Sequence, residues 1–210
     1  MEKQNPFLKI ASSRYSCKKF AKGKEIPAGK LETLLESIRL APSSYNTEPW
    51  RIVLVSDGKV RNSLKKNSWL QPQVTDSSIL LVFCAETDRK KVADDLSIAM
   101  KADAKTAGEK IKAAAWIASL NAFSGTMPSS WEERQVYLAL GNAMNSAESL
   151  GLASCPMEGI NPKEYKRILN IPESWNVLCA LAVGYPEKKE KKRKIRLSNE
   201  QVFFSAEKFI

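Results

Sequence analysis

Residues 41–55 read APSSYNTEPWRIVLV, a polar loop bounded by Pro42 and Pro49 that runs straight into a β-branched strand sequence closed by turn chemistry at Asp57-Gly58. Upstream, LETLLESIRLA places Leu31, Leu34, Leu35, Ile38 and Leu40 near the i, i+3, i+4, i+7 spacing of a helix with one buried face. Residues 42–49 therefore join a helix to a strand, and they carry hydroxyls, an amide and Trp50 at a strand end, where layered α and β proteins bind ligands. A helix stop followed by a turn explains the same residues without any ligand.

Further along, residues 59–77 read as helical or irregular and broken at Pro72, and SILLVFCA (78–85) reads as a strand buried on both faces. From Lys91 to about Phe123 the chain is rich in Ala, Lys, Asp and Met, good helix formers with weak amphipathicity. After Pro128, a long helix has Val136, Leu140, Ala143, Met144, Ala147 and Leu150 on one stripe. Ser129 or Ser130 is expected to cap it with Glu132 or Glu133, and Gly151 to stop it. Core packing and burial against a second subunit explain that stripe equally well. ASCPMEGI (153–160) is a short strand or loop, NPKEYKRIL a capped helix and NVLCALAVGYP (176–186) a third strong strand, ahead of a basic tail ending in NEQVFF. Strands interleaved with helices imply a covered sheet.

Composition narrows the chemistry. The 210 residues include no histidine, which removes Ser-His-Asp triads, Cys-His dyads and histidine bases. Lysine and arginine number 33 against 23 acidic residues, a formal charge of +10. Much of the excess falls in Lys188, Lys189, Lys191, Lys192, Arg193, Lys194 and Arg196, a run without the interleaved aromatics of a single-strand nucleic-acid platform. No apolar run spans a bilayer, and the N-terminus MEKQNPFLKI lacks a secretory apolar segment. Cys17, Cys84, Cys155 and Cys179 are scattered, two of them inside apolar runs, so buried free thiols in a reducing cytoplasm are expected, with neither nucleic acid nor membrane as partner.

Three polar segments exceed what architecture needs. Arg14-Tyr15-Ser16-Cys17-Lys18 sets two cations around a hydroxyl, a combination suited to a phosphate. The second is the 42–50 loop. The third is Pro156-Met157-Glu158-Gly159, where the glycine makes a turn or lets backbone approach a planar ligand.

Taken in order, RYSCKKF, LLESIRLAPSSYNTEPWRIVLV, QVYLALGNAMNSAESLGL, PMEG and KIR resemble the FMN-dependent nitroreductase and flavin reductase family over nearly the whole chain. YSCKKF is also similar to the subgroup that activates nitroimidazole prodrugs. The resemblance implies one α+β domain over 1–210, a mostly antiparallel sheet flanked by helices, and an intertwined homodimer with FMN at the interface. It implies that Arg14, Tyr15, Ser16 and Lys18 contact the flavin phosphate, ribityl chain and pyrimidine edge. Pro42, Ser43, Ser44 and Asn46 would reach the flavin of the other subunit. Gln73 and the Pro156, Met157, Glu158, Gly159 turn would lie beside the ring, with a backbone N–H near N5. Lys194 and Arg196 would complete the phosphate site. Residues from about 100 to 127 would form a mobile helical cover, with Trp116 and Phe123 against the substrate unless they are core or interface, and 186–210 a basic segment and tail. The implied reaction is ping-pong: NAD(P)H reduces the flavin at N5, and a nitroaromatic or quinone is reduced next at the same place, with no side chain acting as a chemical catalyst. Other reductive chemistry on the same fold and a non-catalytic FMN-binding redox module remain alternatives.

Three positions, in two segments, depart from the family pattern. Leu70 stands where many members have asparagine and offers no side-chain donor, and Gln73 carries no charge where many have a cation. A cation near flavin N1 stabilises negative charge on the reduced ring, so its loss lowers the reduction potential unless Lys18 compensates. Glu48, where glutamine is common, implies only polar tolerance.

Overall fold

The computed structural model describes residues 5–188, 190 and 193–206; Lys189, Lys191 and Lys192 of the basic run lie outside the described residues. The elements in chain order are α1 (Pro6–Ser13), α2 (Ala28–Arg39), a short 3-10 turn (Ser44–Asn46), β1 (Trp50–Val55), α3 (Gly58–Lys66), α4 (Gln73–Asp76) and β2 (Ile79–Glu86). There follow α5 (Arg89–Asp103), α6 (Ala107–Ser124), α7 (Trp131–Ser149), β3 (Ala153–Met157), α8 (Pro162–Ile168), β4 (Trp175–Gly184) and α9 (Asn199–Val202).

The sheet runs β1-β2-β4-β3, and every neighbouring pair is antiparallel. All eight residues of β2 are buried, as its unbroken apolar run predicts, because helices cover both faces of its strand. One face packs on α2 and α7 through Leu81, Phe83, Leu181, Leu34, Ile38, Val136, Leu140 and Ala143. The α7 stripe is thus core of its own chain, with Met144 and Leu150 packed at its margin. The other face buries Leu80, Val82, Ala180, Leu64 and Tyr165 against α3 and α8. Pro156 sits inside β3 without breaking the ladder because β3 is an edge strand.

The expected serine cap of α7 does not form. Ser130 is the N-cap residue but its side chain makes no capping bond, and the Trp131 N–H instead donates to the Pro128 carbonyl at 3.0 Å. Glu132 turns inward to Arg89 in place of closing a capping box. The helical region expected from Lys91 to about Phe123 is formed by two helices, α5 and α6, separated where Thr106 and Glu109 form a capping box. Few of their residues are buried: Val92, Ala93 and Leu96 in α5, and Ala113 and Leu120 in α6. Among the described residues no helix is long and apolar enough to cross a membrane.

Gly184, at the end of β4, faces Ser78 so closely that an added Cβ would lie 2.7 Å from the Ser78 backbone nitrogen and 3.2 Å from Phe20. Gly184→Ala therefore forces two backbones apart, and a loss of about 2 kcal/mol is expected in a urea unfolding series. An unchanged midpoint would show that the sheet end relaxes freely.

Candidate functional site

The RYSCK segment is sewn to β3: Ser16 and Ser154 form a parallel bridge, and the Cys17 N–H donates to the Ser154 carbonyl at 2.9 Å. Lys18 Nζ reaches Cys155 Sγ at 3.4 Å, and Gln73 Nε2 lies 3.8 Å from the same sulfur. Lys194 Nζ donates to the Arg14 carbonyl, and Arg14 itself rests against Met144 of α7. Arg14, Lys194 and Arg196 form a positive pole: partial burial first, then the Arg14 and Arg196 charges, hold the Lys194 ammonium below its ordinary pKa. Arg196 points outward, its guanidinium donating to the neighbouring Ile195 carbonyl at 2.7 Å.

β3 delivers its polypeptide into the Glu158-Gly159 turn, which is held on three sides. Tyr137 Oη donates to Glu158 Oε1 at 2.8 Å, Gln71 Nε2 to the Gly159 carbonyl at 3.2 Å, and the Ile160 N–H to the Glu158 carbonyl at 2.8 Å. Burial and the Glu158 hydrogen bond both push the Tyr137 hydroxyl pKa well upward, so it stays protonated and donates. Among the described residues no acceptor meets the Gly159 N–H. A Cβ on Gly159 would meet the Trp69 ring at 2.8 Å, so a side chain there is excluded while that ring stays in place.

Trp69 and Leu70 follow one another in the left-handed region, φ 49° and 55°, and Trp69 is 84% exposed. Consecutive bulky residues in that conformation store strain of order 1–3 kcal/mol each. The Asn161 N–H to Asn67 carbonyl bond, at 2.8 Å, and the Gln71 contact tie this loop to the glycine turn.

The 42–50 loop builds a separate group. The Ser44 N–H donates to Gln135 Oε1 at 2.8 Å, Ser43 Oγ accepts from the Glu48 N–H at 3.0 Å, and Tyr45, Asn46 and Glu48 all have positive φ. Trp116 Nε1 donates to the Tyr45 carbonyl at 3.1 Å, with the Trp116 and Phe123 rings 5.4 and 5.9 Å from Tyr45. These two aromatics of α6 are half exposed and pack on the loop of their own chain. Asn46 also lines a cleft of about 470 Å³ with Arg51, Asp95 and Met100.

The residues expected from the sequence thus fall into two sets. Arg14, Tyr15, Ser16, Lys18, Gln73, Pro156, Met157, Glu158, Gly159 and Lys194 gather along β3, with Arg196 near enough for its charge to act on Lys194, while Pro42, Ser43, Ser44 and Asn46 gather with Trp116 and Phe123. Gln135 and Tyr137, which anchor the two sets, leave α7 about 200° apart around its axis. α7 therefore stands between them. Tyr137, Gln71, Gln135 and Cys155 were not among the expected site residues: each reaches the site by a tertiary contact that no local motif marks.

The first set fits a flavin. Gln73 Oε1 and Ser154 Oγ are buried without a hydrogen-bond partner among the described residues, and buried polar atoms of this kind need a partner. With the positive pole at one end and the unused Gly159 N–H at the other, these groups suit a ligand carrying an anion, hydroxyls and a polar planar ring.

The nitroreductase family model matches residues 11–185, and the chain belongs to the nitroreductase family. A Staphylococcus aureus protein carrying a provisional NAD(P)H nitroreductase name is 33% identical over 206 residues, 90% of each chain. The major NAD(P)H-flavin oxidoreductase of Aliivibrio fischeri is 27% identical over 191 residues, 86% of this chain and 88% of that one. A provisionally named nitroreductase of Exiguobacterium sibiricum, solved in complex with FMN, superposes with a TM-score of 0.82 at 17% identity, covering 97% and 99% of the two chains. The fold is nitroreductase-like, α+β with an antiparallel sheet.

Proposed function

We propose that the chain is an FMN-dependent oxidoreductase that draws reducing equivalents from NAD(P)H and delivers them to a nitroaromatic, a quinone or a similar electron-poor acceptor in a ping-pong cycle. The observation that carries this reading is the Gly159 N–H, left without an acceptor in a turn fixed on three sides, beside two orphaned buried oxygens and a positive pole. Its relatives' flavin and NAD(P)H names support the cofactor and the donor. Bound FMN supplies the one thing no side chain offers, reversible acceptance of a hydride equivalent.

The residues do the holding. Arg14, Lys194 and Arg196 neutralise the phosphate, and Tyr15, Ser16 and Lys18 serve the ribityl chain and pyrimidine edge. Gln73 and Ser154 satisfy the polar rim. Pro156 and Met157 would lie beside the flavin, and Gly159 would offer it the backbone N–H that has no acceptor within the chain's described residues. Tyr137, by fixing Glu158, keeps that peptide oriented.

Pro42, Ser43, Ser44 and Asn46 cannot complete this set within one chain, because α7 intervenes; in a homodimer they serve the partner's flavin. Exposed apolar side chains at Phe7, Leu8, Tyr137, Leu138, Leu197, Phe203 and Phe204 supply surface for such a dimer. The α5–α6 layer, with Trp116 and Phe123, covers the acceptor. Four free thiols accord with a cytoplasmic setting.

Initial rates of NADPH oxidation at several fixed nitrofurazone concentrations test the cycle. Parallel double-reciprocal lines are expected; intersecting lines, or no turnover, would contradict it. Gln73→Lys places a cation beside the ring and is expected to raise the flavin midpoint potential, by about 30 mV for each 1.4 kcal/mol of preferential stabilisation of the reduced form. Spectroelectrochemical titration of both proteins reads the shift.

A further inference from the structure

Cys17 and Cys155 lie on the two segments that frame the candidate site, and the backbone sets them side by side. Because Ser16 and Ser154 form a parallel bridge, the next residue on each strand is a lateral pair, about 4.8 Å apart with side chains on one face. A disulfide spans Cα separations of roughly 4.4–6.8 Å. Both side chains belong to the same buried cluster, Cys17 2% and Cys155 0% exposed. Cys17 also lines a cavity of about 380 Å³ with Tyr15, Lys18, Lys19 and Glu187, which gives a small oxidant a route inward.

The remaining thiols have no such neighbour. Phe83, not Cys84, pairs with Cys179, and Cys84 and Cys179 join the clusters on opposite faces of the sheet. Cys84 and Cys155 share a face, but β4 lies between their strands, a separation of about 9.6 Å at two interstrand spacings. Burial pushes the Cys84 and Cys179 thiols up to about 12 and raises the Cys17 thiol as well, so what sets Cys17 apart is its paired neighbour and the cavity beside it, not its acidity.

From this geometry we infer that Cys17 and Cys155 are a redox-active dithiol, oxidised to a reversible disulfide by hydrogen peroxide or a small disulfide. With peroxide, one sulfur takes an oxygen as the O–O bond breaks and water leaves, giving a sulfenic acid. The second sulfur then attacks the first, the S–O bond breaks and a second water leaves. Two thiols and one peroxide thus give one disulfide and two waters, a two-electron oxidation. Lys18 Nζ, 3.4 Å from Cys155 Sγ, meets the negative charge that develops on a reacting sulfur. Crosslinking requires both sulfurs to leave their present contacts, Cys17 Sγ with the Lys19 carbonyl at 3.2 Å and Cys155 Sγ with Lys18 and Gln73, so thiol state is coupled to groups that line the proposed flavin site. The dithiol chemistry itself stands apart from the flavin reading.

The test is peptide mapping of the native full-length chain after hydrogen peroxide treatment and quenching with N-ethylmaleimide, with the flavin bound and after its removal. Loss of two hydrogens, a single Cys17–Cys155 crosslinked peptide, maleimide on Cys84 and Cys179 once the quenched chain is unfolded in urea with maleimide still present, and reversal by dithiothreitol are expected. Cys155→Ser should give no crosslink. A crosslink to Cys84 or Cys179, oxygen addition without any crosslink, or a crosslink formed only after unfolding in urea would overturn the inference.

Discussion

In Arg89→Ala, the unfolding free energy falls by about 3 kcal/mol, and amide exchange accelerates first in α6 and the 124–130 loop. Arg89 Nε donates to Glu132 Oε1 at 2.6 Å, and its other nitrogens reach the carbonyls of Ser124, Met127 and Pro128. Glu132 is 2% exposed, so removing the guanidinium leaves a carboxylate buried without a counter-charge, a change worth roughly 3–5 kcal/mol when both partners are buried. The arginine is partly exposed, which places the loss at the lower end of that range. The same side chain fastens the end of α6 to the start of α7, hence the local exchange signature. Denaturant unfolding with hydrogen-exchange mass spectrometry reads both. A stability loss spread evenly over the chain would separate Arg89 from the junction of α6 and α7.

The second large effect falls on flavin affinity. Arg14→Ala removes a charged donor from the positive pole proposed to hold the phosphate, and FMN binding is expected to weaken by about 10- to 100-fold, from roughly 1.5–3 kcal/mol per charged hydrogen bond. Lys194→Ala acts on the same pole and should give a similar loss. The two changes together are expected to fall short of additive, because each relieves repulsion that the other residue feels. Fluorescence titration of apoprotein with FMN, at two salt concentrations, measures the loss. An unchanged affinity in both variants would move the phosphate away from Arg14.

Much of this architecture is legible in the chain. The β-branched run after Pro49, the unbroken run of β2 and the stripe on α7 each carry a period that burial enforces, and each forms the element expected. The segments proposed to hold the flavin stand out because they are short, local and rich in residues that have little architectural use. What escaped was tertiary. Nothing local marks Glu132 for Arg89, 43 residues away, so its carboxylate read as part of a cap. The left-handed pair Trp69 and Leu70 carries no glycine or asparagine to announce it. Tyr137 lies beside the α7 stripe and reads as surface, until the fold brings Glu158 to its hydroxyl. The separation of the site residues into two sets likewise depends on which way Gln135 and Tyr137 leave one helix.

The flavin proposed for this site both accepts and donates electrons. The most direct test is the visible absorption spectrum of the purified protein through anaerobic addition of one equivalent of NADPH and then of a nitroaromatic. A yellow protein that bleaches with the first and recovers its colour with the second is the predicted result. A colourless protein that takes up no added FMN, or a bound flavin that NADPH leaves oxidised, would contradict the account.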